Sequence, residues 1–147
     1  MHCWERRQGS RHVTHVRGME FRVGTMRVLV ADAHATVRSA LRLLLEQMLG
    51  AGAVIDEVAE VPALVACVQS CAPHLLLVDW ELCRPDPAGL LARLREASPD
   101  LRVIVLSSRP EARAPALASG AAGFVFKGDP PEQLLQALHA AGLPRPS

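Results

Sequence analysis

The feature that most constrains the fold is a regular alternation of short apolar runs with longer amphipathic segments. Five runs of five to seven mostly apolar residues, rich in Val, Leu and Ile, are predicted as buried strands. They span residues 26–31, 53–59, 74–79, 101–106 and 122–126. Each run is followed by a segment whose apolar residues recur at helical spacing. Strands that are apolar on both faces belong to a parallel sheet that helices cover on both sides.

This alternation predicts an α/β fold. Crossovers between parallel strands are right-handed, and one reversal of the winding gives a flavodoxin-like, doubly wound sheet. We therefore predict a five-stranded parallel sheet of strand order 2-1-3-4-5 with five helices. The length of 147 residues, with 50% hydrophobic and 21% charged residues, is that of one globular domain.

Several residues indicate where the helices begin and end. Asp86, which proline follows, is predicted as the N-cap of the third helix, and that helix is expected to reach about residue 97. Asp129 and Glu132 have the spacing of a capping box for the last helix. Pro115 falls in the fourth helical segment, and a proline inside a helix costs about 3 kcal/mol. We therefore expect the fourth helix to be short or mobile.

The first 25 residues differ from the rest of the chain. They carry a net charge of +3 without apolar periodicity, whereas residues 26–147 carry −2. We predict residues 1–25 as a basic N-terminal tail, either disordered or the product of an upstream start codon. Residues 26–142 are then the folded domain and residues 143–147 a C-terminal tail.

Composition also limits the partners and the compartment. A formal net charge of +1 gives no general reason to expect nucleic acid or an anionic membrane as a partner. No apolar stretch has the length and continuity that a bilayer span requires, and the first residues do not resemble a secretory signal. The four cysteines lack metal-ligand spacing, so we expect a cytoplasmic chain with reduced thiols.

Polar residues follow the apolar runs at the points where the predicted strands end. Asp32 follows the first strand, Asp79 ends the third, Ser107 and Ser108 follow the fourth, and Lys127 follows the fifth. Lys127 is the only lysine among 16 basic residues. Because ligands of this architecture bind beyond the carboxyl ends of the strands, we expect these side chains to form one site.

These residue types suit phosphoryl transfer to a carboxylate. Two carboxylates a few ångströms apart repel each other by roughly 4 kcal/mol at an effective dielectric constant of 20. A lysine or a divalent cation relieves that repulsion, and an oxygen-rich site with room for water suits Mg²⁺. A carboxylate beside Mg²⁺, with an ammonium and a hydroxyl nearby, can attack phosphorus to give an aspartyl phosphate.

The segments that carry these residues resemble the receiver domains of response regulators in two-component signalling. MRVLVADAH resembles the first strand of that family, HLLLVDWEL its phosphoacceptor strand and VIVLSS the strand with its Ser or Thr. GFVFKGDPPEQL resembles the strand with its Lys and the last helix. The resemblance covers residues 26 to about 142, and the sequences around Asp32 and Lys127 are similar to receivers that precede a helix-turn-helix domain.

The resemblance implies a role for each residue at the predicted site. Asp79 is the phosphoacceptor, Asp32 and Asp79 belong to the Mg²⁺ site, and Ser107 and Ser108 bind phosphate together with Lys127. Ser107 and Phe124 are the pair that changes conformation on phosphorylation. The family is a signalling module and not an enzyme, and its phosphoryl donor is a histidine kinase or a phosphotransfer protein.

The sequence departs from the family pattern beside the metal site. In the family, two adjacent acids normally follow the first strand. Here Ala33 stands in place of the second acid, so one charged metal ligand is missing. Glu81, two residues after the phosphoacceptor, is the candidate replacement; otherwise it faces solvent or pairs with Arg109. Gly128 follows the lysine where proline is common.

Three functions therefore compete at the level of the sequence. The first is a phosphoacceptor receiver that acts on an unknown downstream protein by contact, with no DNA-binding domain in these residues. The second is a degenerate receiver that binds a partner, or forms a homodimer, without phosphorylation. The third is a haloacid-dehalogenase-like phosphatase, which the Glu at position 81 and the short length oppose, because that class needs a second Asp there.

Overall fold

The computed structural model describes residues 26–143, and its centre is a five-stranded parallel sheet. The strands are β1 (Arg27–Ala31), β2 (Val54–Val58), β3 (Leu75–Asp79), β4 (Arg102–Ser107) and β5 (Gly123–Phe126). Their order in the sheet is β2-β1-β3-β4-β5, and every neighbouring pair is parallel. The predicted fold class and strand order are confirmed.

Within residues 26–143, five α-helices connect and follow the strands. They are α1 (Ala35–Leu49), α2 (Val61–Cys71), α3 (Pro87–Ala97), α4 (Arg113–Ala118) and α5 (Pro131–Ala140). Short 3₁₀ turns lie after β3 (Trp80–Cys83) and before α4 (Pro110–Ala112). The predicted number of helices is therefore confirmed.

The sheet separates two apolar cores, as a doubly wound fold requires. One core, called the α1–α5 core because α1 and α5 cover it, lies on one face of the sheet and includes Val28, Leu45 and Leu138. The other core, called the α2–α4 core, lies between the opposite face of the sheet and helices α2, α3 and α4, and includes Val68 and Leu91. Alternate residues of each strand enter opposite cores, which explains why the strands are apolar on both faces.

The two predicted N-caps have different outcomes. Asp86 caps α3, because its side chain accepts a hydrogen bond of 3.1 Å from the backbone N–H of Gly89. The capping box at Asp129 is wrong: α5 begins at Pro131, and Pro130 is its N-cap residue. Because the backbone of Pro130 is extended, the helix begins one residue later than expected. Asp129 therefore precedes the N-cap position, and its side chain does not cap the helix.

The prediction that the fourth helix is short is confirmed, because α4 has only six residues. The helix begins at Arg113, two residues before Pro115. A 3₁₀ turn from Pro110 is followed by the α-helix from Arg113, so Pro115 lies in the first turn of α4. The first turn of a helix has no acceptor for its N–H groups, so proline is tolerated there.

Both predicted tails lie largely outside the described residues. Residues 1–25 and 144–147 are not among them, so the prediction of a basic N-terminal tail stays a prediction. Leu143, which the sequence placed in the C-terminal tail, is buried in the α1–α5 core. Among residues 26–143, the helices are too short or too polar for a transmembrane segment.

Candidate functional site

The polar residues predicted at the strand ends lie together at one edge of the sheet. In the strand register Asp79 is opposite Leu106, and Ser107 is opposite Phe126, the residue before Lys127. The backbone N–H of Lys127 donates to the carbonyl of Ser107 over 2.8 Å. Three neighbouring strands therefore end at the same level, which brings their last side chains into one cluster.

Lys127 joins the two aspartates. Its Nζ lies 2.7 Å from Oδ2 of Asp32 and 3.2 Å from Oδ1 of Asp79. The side chains of Asp32 and Asp79 are only 2% and 6% exposed, whereas Lys127 is 22% exposed and reaches the edge of the site. One ammonium group thus compensates two carboxylates that have almost no contact with water.

The two carboxylates respond differently to this environment. Burial alone would raise the pKa of Asp32, but hydrogen bonds from Lys127 and His34 outweigh it and lower that pKa. Burial raises the pKa of Asp79; Lys127 offsets part of this effect, while the charges of Asp32 and Glu81 add to it. Burial would lower the pKa of Lys127, but its two carboxylate partners raise it, so the ammonium form is stable. Asp79 is therefore the less well compensated of the two acids.

Oδ1 of Asp79 has no hydrogen-bond donor within residues 26–143, although it is buried. Nζ of Lys127 is near enough for an ion pair but is not directed for a hydrogen bond. A buried polar atom without a hydrogen bond is unusual in a folded protein and is often found where a ligand binds. This oxygen, which lies 3.2 Å from the Lys127 ammonium, is therefore a candidate ligand for a cation or another electrophile.

Ser107 and Glu81 form a contact that the sequence did not predict. The hydroxyl of Ser107 donates to the Glu81 carboxylate, with its Oγ 3.1 Å from Oε1 and 3.0 Å from Oε2. The same Oγ accepts a hydrogen bond of 3.0 Å from the backbone N–H of Arg109. The Glu81 side chain is only partly exposed, and its carboxylate is paired with Ser107 and not with Arg109, which pairs with Glu111 instead.

Two other candidate residues lie away from this cluster. Ser108, the second predicted phosphate-binding hydroxyl, is exposed at the end of β4. Phe124 is half-buried against the α2–α4 core, and the guanidinium of Arg113 lies over its ring at 5.9 Å. The structure therefore brings together Asp32, Asp79, Glu81, Ser107 and Lys127, with Phe124 on β5 three residues before Lys127.

Sequence reasoning missed two residues that hold Asp32. His34 donates its backbone N–H to Oδ1 of Asp32 over 2.9 Å, and its ring Nδ1 lies 3.1 Å from the same oxygen. Arg38 donates to the backbone carbonyl of Asp32 over 2.8 Å and also contacts Glu57. The spacing from Asp32 to His34 was visible in the sequence, but the approach of Arg38 depends on how α1 packs on β2.

The acidic residues fit a cation that keeps most of its water. Within the described residues, no three His, Cys, Asp or Glu side chains are close enough to hold a metal together. Asp32 and Asp79 are buried and adjacent, and Ala33, where an acid was expected, is exposed. Mg²⁺ is commonly held by one or two carboxylates with water and phosphate oxygens, so two aspartates are a sufficient protein contribution.

Comparison with known proteins assigns the family. A sequence model of the response regulator receiver domain matches residues 28–139. The chain belongs to this family. The match includes the residues of the site described above, from Asp32 to Lys127.

The curated relatives that this receiver domain matches are regulatory proteins longer than the matched segment. The nitrate/nitrite response regulator NarL of Escherichia coli is 31% identical over 116 residues, which cover 78% of this chain and 53% of NarL. The oxygen regulatory protein NreC of Staphylococcus epidermidis is 29% identical over 117 residues, which cover 77% of this chain and 53% of NreC. The receiver domain thus spans about half the length of these relatives.

Solved structures support the same assignment. The isolated receiver domain of RcsB from Salmonella enterica, in the presence of the phosphomimetic BeF₃⁻, is 27% identical, with a TM-score of 0.68. That similarity covers 78% of this chain and 86% of the RcsB domain. A LuxR-family response regulator from Aurantimonas, 24% identical, has a TM-score of 0.69 over 79% of this chain and 84% of its own, and shares the fold. The family resemblance drawn from the sequence is confirmed.

Proposed function

We propose that this receiver domain accepts a phosphoryl group on Asp79. The observation that carries the proposal is the buried carboxylate of Asp79, whose Oδ1 lies 3.2 Å from the Lys127 ammonium and lacks a hydrogen bond. This carboxylate lies beside the Lys127 ammonium at the edge of the sheet. It is poorly solvated and therefore available as a nucleophile.

The proposed reaction transfers the group from a phosphohistidine of a histidine kinase or phosphotransfer protein. An Asp79 oxygen forms a bond to phosphorus while the phosphorus–nitrogen bond of the donor breaks. The electron pair of the broken bond remains on the imidazole, which takes up a proton from the solvent. Lys127 stabilises the charge on the phosphoryl oxygens, because its raised pKa keeps the ammonium protonated throughout.

Asp32 and Asp79 would hold Mg²⁺ at this site. When bound, the ion supplies positive charge that neutralises the phosphoryl oxygens and the attacking carboxylate. Glu81 was the third candidate ligand, but its carboxylate is occupied by the hydroxyl of Ser107. We therefore expect weak metal binding, with water completing the coordination.

Ser107 and Lys127 are the groups proposed to bind the phosphoryl oxygens, with exposed Ser108 beside them. Ser107 is fully buried, so its hydroxyl has a defined direction. The proposed change on phosphorylation is a movement of Ser107 together with Phe124, which is only half-buried. Output would then be contact with a downstream protein through the surface around α4 and α5.

Intact-mass measurement tests the function directly. The full chain is incubated with Mg²⁺ and acetyl phosphate, alongside Asp79→Ala and the control Asp100→Ala, which removes an exposed aspartate. We expect one base-labile phosphoryl adduct on the wild type and on Asp100→Ala, and none on Asp79→Ala. Absence of an adduct on the wild type, even at high Mg²⁺, would support the degenerate receiver that binds partners without phosphorylation.

A further inference from the structure

The hydroxyl of Ser107 is already engaged in the structure, and its partner is a carboxylate. Oγ lies 3.1 Å and 3.0 Å from the two carboxylate oxygens of Glu81, while the N–H of Arg109 donates to the same Oγ. A serine hydroxyl has a single proton to donate. While Glu81 accepts that proton, Ser107 cannot donate to a phosphoryl oxygen on Asp79.

Glu81 also lies near enough to Asp79 for their charges to interact. Phosphorylation would replace the single negative charge of the Asp79 carboxylate by the roughly −1.5 to −2 of an acyl phosphate, which adds up to about one negative charge at this edge of the sheet. The charged form of Glu81 would then be repelled by its new neighbour, and its hydroxyl partner would gain a second acceptor. Both effects favour the departure of Glu81 from Ser107.

The neighbouring cavity offers Glu81 a second position. A cavity of about 330 Å³ lies beside the site, and its lining includes Trp80, Glu81, Arg84, Arg109 and Pro115. The side chains of both arginines are exposed; Arg109 contacts Glu111 through its Nε, and a guanidinium has further N–H groups with which a second carboxylate can pair. Glu81 can therefore leave Ser107 without losing a cationic environment.

We propose that Glu81 is a latch on the switch hydroxyl. It holds the proton of Ser107 while Asp79 is free, and it moves into the cavity of Arg84 and Arg109 when Asp79 carries a phosphoryl group. Glu81 is thus a positioning residue, because its hydrogen bond with Ser107 must break before the hydroxyl can bind the phosphoryl group. The inference rests on the proposed function, since a latch has a role only if Asp79 receives a phosphoryl group or its mimic.

The test measures the affinity of the full chain for beryllofluoride in saturating Mg²⁺. Trp4→Phe serves as the background, so that Trp80, next to Asp79, is the only fluorescent reporter. Glu81→Ala is expected to bind beryllofluoride about tenfold more tightly, because a hydrogen bond to a charged group no longer holds the hydroxyl. Glu81→Gln should show a smaller gain, since a neutral acceptor holds the hydroxyl less strongly.

A double-mutant cycle separates the latch from other effects of the same carboxylate. In a Ser107→Ala background, Glu81→Ala should change the affinity by less than about twofold. A gain of equal size in both backgrounds would overturn the latch and assign the effect to charge repulsion. A loss of affinity in Glu81→Ala would also overturn it and identify Glu81 as a metal ligand. Glu96→Ala, which removes an exposed carboxylate from α3, is the matched control.

The failure of the latch and the failure of the proposed function give different results. If the wild type and Glu81→Ala bind beryllofluoride equally, the latch alone is wrong. If neither binds it, and acetyl phosphate leaves no adduct on either, the proposed function is wrong and the latch is overturned with it. Binding or an adduct on Glu81→Ala but not on the wild type would support a latch that is closed in the isolated chain.

Discussion

At the scale of single residues, Lys127 has the largest influence on the site. It is the one cation within ion-pair distance of both buried aspartates in the described part of the chain. A buried carboxylate without a cation must protonate or be desolvated at a high cost. The single lysine of an otherwise arginine-based sequence is thus required at the place where two acids meet.

Lys127→Met should therefore lower the free energy of unfolding by about 2 kcal/mol at pH 7.5, because it leaves two buried carboxylates without their cation. This loss of unfolding free energy should be smaller at pH 5 than at pH 7.5. Burial already raises the pKa of Asp79, and removal of Lys127 should raise it further, so stability is regained as the pH falls through this pKa. Urea unfolding at both pH values measures this, with Arg93→Met as the exposed-cation control.

Glu57 gives a second pH-dependent contribution to stability, which is lost at a lower pH. Arg42 lowers its pKa most strongly; burial opposes the shift and Arg38 adds to it. A carboxylate with a lowered pKa in the folded state stabilises the protein above its unfolded pKa of about 4.5. We expect Glu57→Gln to cost about 1 kcal/mol at pH 7, a modest value because water screens this partly exposed pair.

The measurement that checks the Glu57 prediction is a series of unfolding curves between pH 7 and pH 3. The difference between the wild type and Glu57→Gln should fall as the pH drops below about 4.5 and through the lowered folded pKa. A difference that is constant with pH would contradict the ion pair and indicate an effect of packing.

At the scale of elements, helix boundaries depend on backbone geometry more than on residue spacing. Asp86 and Asp129 each precede proline in the sequence, yet only Asp86 caps a helix. The second proline after Asp129 accounts for the difference, because Pro130 is held in an extended conformation and α5 begins at the following proline.

This pair of aspartates provides a matched prediction. Asp86→Ala should destabilise the domain by about 1 kcal/mol, the usual cost of losing an N-cap hydrogen bond. Asp129→Ala should change stability by less than about 0.5 kcal/mol, as exposed positions without a specific contact do. Thermal unfolding measures the loss of stability in each variant. Equal losses in the two variants would show that Asp129 has a structural role.

At the scale of the whole molecule, the sheet keeps two cores apart. Val28 faces the α1–α5 core and Val68 faces the α2–α4 core, and both are 1% exposed. Residues that share no partner behave independently in stability, even though the domain unfolds as one unit.

Val28→Ala and Val68→Ala should each lower the free energy of unfolding by about 2 kcal/mol, from the loss of buried methyl groups. The double variant should show the sum within about 0.5 kcal/mol. Denaturant unfolding of the three variants measures this, with Leu43→Ala on the exposed face of α1 as the control. A clear departure from additivity would indicate that the two cores are coupled through the sheet.

The sequence alone predicted the sheet, its strand order and the convergence of Asp32, Asp79, Ser107 and Lys127, because hydrophobic periodicity and chain order determine which strand ends meet. It could not predict the partner of Glu81 or the contact of Arg38 with the backbone of Asp32. Those features depend on distances of a few ångströms between side chains far apart in the chain. Only the packing of the 3₁₀ turn after β3 against the end of β4, and of α1 against β2, determines which hydrogen bonds form.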